Sequence, residues 1–205
     1  MADREKATGE LGLIQAFVNT LDLMPLDEQL KDPNTLRAWL VASGLMDSSQ
    51  PVDEADLRHA IAVREAMRGL IGGNSGLRVY PVDLATLTKA AGESGLRMRF
   101  GPDGKPRLEP EASGAVGAIG RLVATLYSAM QDESWQRLKL CGSDPCRWAF
   151  YDRSKNQSSR WCKMASCGNR EKARRFRERI TRERRQSPVS EPVQTREHRR
   201  SRHVD

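Results

Sequence analysis

Four cysteines constrain this chain more than anything else in it. Cys141, Cys146, Cys162 and Cys167 lie within 27 residues, and the rest of the 205-residue sequence has none. Each pair has the spacing C-x4-C, and 15 residues separate the pairs. Two tight turns that each present two sulfurs suit a tetrahedral zinc ion. Cysteines this local do not form a disulfide framework, which would staple the whole chain. Free buried thiols and a redox pair stay open on spacing alone. A catalytic zinc is disfavoured, because four thiolates leave no coordination position for water.

The residues between the cysteines read as a compact module. Gly142, Ser143, Asp144 and Pro145 form a knuckle. Arg147 to Asp152 reads as a strand, Ser154 to Gln157 as a turn, and Ser159 to Cys162 as the return strand. Cys167 stands where a helix begins, and the free amides of a helix start favour thiolate charge. The expected module is therefore a treble-clef-like four-cysteine zinc finger with a ββα order.

Upstream, apolar spacing predicts a mainly α domain with a small β-hairpin. Helices are expected over 10–21, from Pro33 to Gly44, over 53–71, over 82–91 and over 113–130. Leu96 to Phe100 alternates as a strand does, and the turn at Gly101 to Gly104 leads to a second strand near Arg107. Ala115, Gly117, Ala118 and Gly120 predict close packing of the last helix. The expected organisation is a flexible N-terminus (1–9), a mostly helical domain (10–134), a zinc-finger domain (135–186) and a disordered charged tail (187–205).

Charge separates these regions. Residues 141–186 hold 14 Lys and Arg against 5 Asp and Glu, whereas residues 1–140 hold 16 against 19. A basic excess confined to one segment points to a polyanionic partner there. No apolar run reaches the ~20 residues of a membrane helix. The charged N-terminus lacks a signal-peptide core, so a cytoplasmic protein without membrane association is expected.

The cysteine segment resembles a known family. Cys141-x4-Cys146-Arg-Trp-Ala-Phe-Tyr-Asp-Arg-Ser-Lys-Asn, then Arg160-Trp-Cys162 and Cys167-Gly-Asn-Arg170, is similar to the CGNR zinc fingers. Phe17-Val-Asn-Thr-Leu-Asp22 and Val63-Arg-Glu-Ala-Met-Arg68 look like the ABATE domain that accompanies them. The resemblance implies a bacterial, stress-related transcription regulator, not an enzyme, that binds double-stranded DNA through a zinc-bearing finger. A nucleoid-associated location follows from that role.

Within that expectation, the candidate DNA contacts are Arg153, Lys155, Asn156, Arg160, Lys163, Asn169, Arg170, Lys172, Arg174, Arg175 and Arg177. Arginine on a helix can fork onto guanine or grip phosphate. Asn156 and Asn169 have a second reading as turn and helix-start residues. Ala173, Phe176 and Ile180 form a narrow stripe expected to pack on the zinc module. A protein–protein adaptor, an RNA-binding protein and a thiol redox sensor remain alternative functions.

Arg64 falls on the apolar side of its helix and needs a partner, either a carboxylate such as Asp22 or an anionic ligand. Asn19, Asp22 and Arg64 thus read as a hydrogen-bond network or as a pocket for a small-molecule effector. A homodimer is compatible with this plan.

Overall fold

The computed structural model describes residues 6–186. The chain divides into two units, Met1–Asn169 and Arg170–Asp205, each described by itself. The expected disordered tail and the first five residues lie outside the described residues.

The first unit begins with α1 (Gly9–Val18), β1 (Leu21–Leu23) and β2 (Leu26–Glu28). Next come α2 (Pro33–Ala42), α3 (Glu54–Gly73) and α4 (Pro81–Glu93). A hairpin of β3 (Leu96–Phe100) and β4 (Pro106–Pro110) leads into α5 (Gly114–Met130). After a 3-10 turn at Glu133–Arg137 come β5 (Leu138–Leu140), β6 (Ala149–Tyr151) and a π turn at Met164–Gly168. The second unit is α6 (Asn169–Gln186), which starts one residue earlier in the first.

Local chemistry explains the helix starts. Asp32 caps α2 by accepting from the Thr35 amide at 2.8 Å, with Pro33 at the first helical position. Asp53 caps α3 by accepting from the amides of Ala55 and Asp56. Ile14, Phe17 and Val18 of α1 meet Val63, Met67 and Ile71 of α3 and Ile119 and Leu122 of α5 in one core. At Gly120 a Cβ would stand 2.4 Å from Ser94 Cβ and 2.9 Å from Pro110 Cβ, so glycine lets α5 seat the root of the β3–β4 hairpin.

The core does not stop at the helical body. Leu138, Leu140 and Ala149, from the hairpin that carries the first cysteine pair, belong to the same cluster. Among the described residues, no helix is long and apolar enough to cross a membrane.

The expected hairpin is β3–β4, paired from Leu96↔Pro110 to Phe100↔Pro106. The short hairpin β1–β2 was not anticipated. It supplies the partner that Arg64 requires. Arg64 is 2% exposed, and its guanidinium grips Glu28 with both terminal nitrogens, at 2.7 and 2.8 Å. Its Nε donates to Glu65 at 2.8 Å, and Glu65 also accepts from Arg68 Nε at 3.0 Å. Asp22, the carboxylate first considered for Arg64, accepts instead from the Met24 amide.

Burial would raise Glu28, but the Arg64 fork outweighs it and holds the carboxyl below its usual range. Such a group stabilises the fold above its unfolded value of about 4.3, and that contribution is lost as pH falls through the lower folded value. Glu28→Gln is therefore expected to cost about 2–3 kcal/mol at pH 7. The gap to the wild type should close below about pH 4. Urea midpoints of both proteins between pH 7 and pH 3 check this; a gap independent of pH would contradict it.

Candidate metal centre

The zinc hairpin differs in register from the expected one. β6 pairs with β5, which precedes the first cysteine, with Leu138↔Tyr151 and Leu140↔Ala149. Ser159 to Cys162 is not a strand. The first cysteine pair thus sits in the hairpin's own turn, and the second pair arrives from a loop and the π turn. The physical reason lies in the upstream strand. Leu138 and Leu140 bury their side chains in the core, whereas Ser158, Ser159 and Arg160 offer nothing apolar to bury.

The knuckle closes through backbone bonds. The amides of Cys146 and Arg147 donate to the Ser143 carbonyl at 2.8 and 3.2 Å. Arg147 takes a left-handed backbone, φ 47°, which a glycine would adopt at less cost. The loop is tied back by the Gly142 amide, which donates to the Arg160 carbonyl at 2.8 Å. In the π turn, the amides of Cys167 and Gly168 both donate to the Lys163 carbonyl. A Cβ on Gly168 would lie 2.3 Å from Met164 Sδ and 3.1 Å from Trp161 Cδ1, so a side chain here would have to displace Met164 and press on the Trp161 ring.

These turns bring the four Sγ atoms within 4.8 Å of one another. Cys146 to Cys162 is 3.7 Å, and Cys162 to Cys167 is 3.8 Å. A tetrahedron with Zn–S bonds of about 2.3 Å has edges of about 3.8 Å. All four sulfurs are buried, with Phe150, Trp148 and Trp161 packed around them. Hydrogen bonds from Cys146 and Cys162 pull the Cys141 thiol down, and the same bond pushes Cys146 up. Cys162 is also pushed up, by Cys141 and Cys146. Sulfurs this close hold several thiolates together only around a cation. The set fits one structural zinc ion, and no ligand position is left for water.

Asp152 organises the loop between the two pairs. Its side chain is fully buried against Lys139, with Nζ 2.8 Å away. It also accepts from the amide and hydroxyl of Ser154 and from the Ser159 amide. Burial would raise Asp152, but the Lys139 ammonium and the serine donors hold it well below the usual carboxylate range.

Polar side chains of the helical body grip the zinc hairpin. Asn19 accepts from the Ala149 amide at 2.9 Å and donates to its carbonyl at 2.8 Å. Gln15 donates to the same carbonyl at 3.0 Å. Arg68 donates to the Arg147 carbonyl at 3.1 Å, and to the Val18 carbonyl at 2.6 Å. Asn74 donates to the carbonyls of Trp135 and Leu138, and Ser75 accepts from the Leu140 amide at 2.8 Å. Asn19 thus clamps the Ala149 backbone, while Arg64 belongs to a polar brace that runs from Glu28 through Arg64, Glu65 and Arg68 to the knuckle. Gln15, Arg68, Asn74, Ser75 and Asp152 were missed from the sequence. Arg68 had a readable signal, one helical turn beyond Arg64.

The expected basic residues take varied positions. Lys155 and Asn156 are exposed at the turn, where Gln157, not Asn156, takes the left-handed backbone, φ 49°. Arg153 stacks 5.7 Å from the Tyr151 ring centre and donates to the Lys6 carbonyl. Arg160 stacks 5.6 Å from the Trp161 ring centre. Lys163 is half-buried, and Asn169 donates back to the Ala165 carbonyl at 3.2 Å. On α6, Arg170, Lys172, Arg174, Arg175 and Arg177 are exposed. Arg174 and Arg175 both pair with Glu171, and Arg174 also with Glu178. Donation from Arg174, against a smaller burial effect and helped by Arg175, holds Glu171 down to about 2. Ala173 is exposed, Phe176 is 56% exposed beneath the Arg179 guanidinium, and Ile180 is half-buried.

Purified protein is expected to hold one zinc per chain by atomic emission and to lose it with Cys162→Ser. Asp152→Asn should retain the metal but lower thermal stability by about 2–4 kcal/mol, because Lys139 keeps an unpaired buried charge. A stoichiometric metal in Cys162→Ser would contradict the ligand assignment.

Two family models match the chain. The CGNR zinc finger covers residues 137–180. The ABATE model, described as "Putative stress-induced transcription regulator", covers residues 12–130. Among curated proteins, none matches the chain significantly. With more than half its length under one model and its four sulfurs under the other, the chain belongs to the ABATE family and carries a CGNR zinc finger.

Proposed function

We propose that the protein is a zinc-dependent, sequence-specific DNA-binding transcription regulator. One observation carries this reading. Arg170, Arg174, Arg177, Thr181 and Arg185 recur at helical spacing along one stripe of α6, and all are exposed. Among the described residues, Lys172, Arg177, Arg182 and Arg185 have no acidic partner, so their charge is available to a polyanion. A helix of this width fits the major groove, and arginines along it can reach base edges and phosphates.

The loop of the first unit adds candidates of its own. Lys155 and Asn156 stand exposed on a turn whose shape Asp152 fixes. Arg153 and Arg160 are steadied by aromatic rings, which lowers the entropy lost on gripping a phosphate. Asn169 and Lys163 serve the π turn and are weaker candidates. The helical body, 10–134, has the regulatory part, and the geometry of Asn19 and Arg64 favours bracing the finger over holding an effector.

Selection from a random duplex library with the full chain, followed by binding at graded salt, tests this. A recovered motif is expected, with affinity falling linearly in log salt. Arg177→Ala and Arg182→Ala should each reduce the salt slope by about one if they meet phosphate. Arg177→Ala should relax one position of the motif if it meets a base. Failure to enrich any motif, or stronger binding to structured RNA than to duplex DNA, would overturn the proposal.

A further inference from the structure

The β3–β4 hairpin has one closed edge and one open edge. The Gly101 amide donates to the Lys105 carbonyl at 3.0 Å, and the Glu111 amide to the Gly95 carbonyl at 3.3 Å. In an antiparallel ladder, hydrogen-bonded pairs alternate with unbonded ones. Arg99↔Arg107 and Arg97↔Glu109 are then bonded pairs, while Phe100↔Pro106, Met98↔Leu108 and Leu96↔Pro110 are not. Residues of the unbonded pairs point their backbone groups away from the hairpin. On β4 two of those three residues are prolines, which have no amide to offer. On β3 they are Leu96, Met98 and Phe100. Among the described residues, no acceptor takes a hydrogen bond from their amides.

The side chains of that edge are as specific as its backbone. Met98 is 62% exposed and Phe100 72% exposed, both on one face. Arg97 and Arg99 stand on the other. Arg97 meets Glu111 at 2.6 Å, and Arg99 meets Glu109 at 3.5 Å, all of them well exposed. Arg99 also lies directly opposite Arg107 in the ladder, and Arg107 pairs with Asp103 at 2.7 Å.

We infer that β3 is a docking edge for an extended acidic segment of a partner protein, which adds as a third strand with apolar residues beside Met98 and Phe100 and carboxylates beside Arg97 and Arg99. Main-chain hydrogen bonds supply affinity in such an addition, and alternate side chains supply choice. A second copy of this chain does not fit. Any antiparallel self-pairing of β3 that overlaps both arginines sets arginine against arginine, which guards the edge from self-association.

The probe is an end-capped peptide of four Val-Glu repeats, titrated into the full zinc-loaded chain. The control peptides are four Val-Lys repeats and a block peptide of the same composition. The alternating acidic peptide is expected to bind at least tenfold more tightly than either control. Its binding should slow hydrogen exchange at the amides of Leu96, Met98 and Phe100. Met98→Pro removes the central outward amide without touching a bond to β4, and it should abolish binding. The double variant Arg97→Glu, Arg99→Glu should reverse the preference toward the lysine peptide. Equal binding of both charges, binding that survives Met98→Pro, or protection elsewhere in the chain would overturn the inference. So would a concentration-dependent dimer that Met98→Pro disperses, since the edge would then serve a second copy.

Discussion

One buried cluster of sulfurs holds the C-terminal part of the first unit together. The hairpin β5–β6 is three residues to a strand, too short to persist alone in water. The loop from Asp152 to Lys163 has no ladder to join. A zinc ion bound by four thiolates contributes on the order of 10–16 kcal/mol in isolated fingers, far more than the loop's hydrogen bonds. The metal therefore decides whether Cys162 and Cys167 stay beside Cys141 and Cys146.

The metal does not act alone. The loop between the cysteine pairs is shaped by Asp152, whose buried carboxylate gathers Lys139, Ser154 and Ser159. The knuckle is fixed from the other side, where Arg68 holds the Arg147 carbonyl in its left-handed turn. A strained backbone position persists only where its surroundings over-determine it. Here the surroundings are a buried arginine on α3 and the sulfurs on either side. Arg68 in turn relies on Glu65, which it shares with Arg64, so the charge balance of the helical body reaches the metal ligands through four side chains.

Much of this was legible in the sequence, for definite reasons. The ligands were readable because thiolate pairs at repeated spacing have few other uses in a chain without further cysteines. The helices were readable because Asp32, Asp53, Gly44 and the apolar periodicity act locally. The hairpin register was not. Arg147 to Asp152 had two candidate partners, and the choice rested on Leu138 and Leu140 entering a core assembled from α1, α3 and α5, elements that no local pattern ties to this hairpin. The partner of Arg64 was hidden for a similar reason. Glu28 sits on a three-residue strand with no apolar alternation to announce it, whereas Asp22, nearer an obvious helix, serves its own turn. Gln15 reads as an ordinary polar position on a helix, and Asn19 as a neighbour of Arg64, until the strand they clamp is in place.

The division at residues 130 and 137 between the two family models is thus not a division in packing. A linker between independent domains would carry few contacts and little apolar burial. Here Trp135, Leu138, Leu140 and Ala149 lie in the core built by α1, α3 and α5, and the Ala149 carbonyl receives hydrogen bonds from Gln15 of α1 and from Asn19 at its C-cap. Removing the helical body would expose those side chains and strand the backbone groups they satisfy, each at a cost comparable to a lost hydrogen bond. The same coupling runs in reverse: a change in the packing of α1 or α3 bears on the strand next to the first sulfur pair. A body joined this way to a metal site can influence it without any ligand touching the metal. That gives the helical body a mechanical route to the finger, and Asn19, Gln15 and Arg68 are the residues through which it runs.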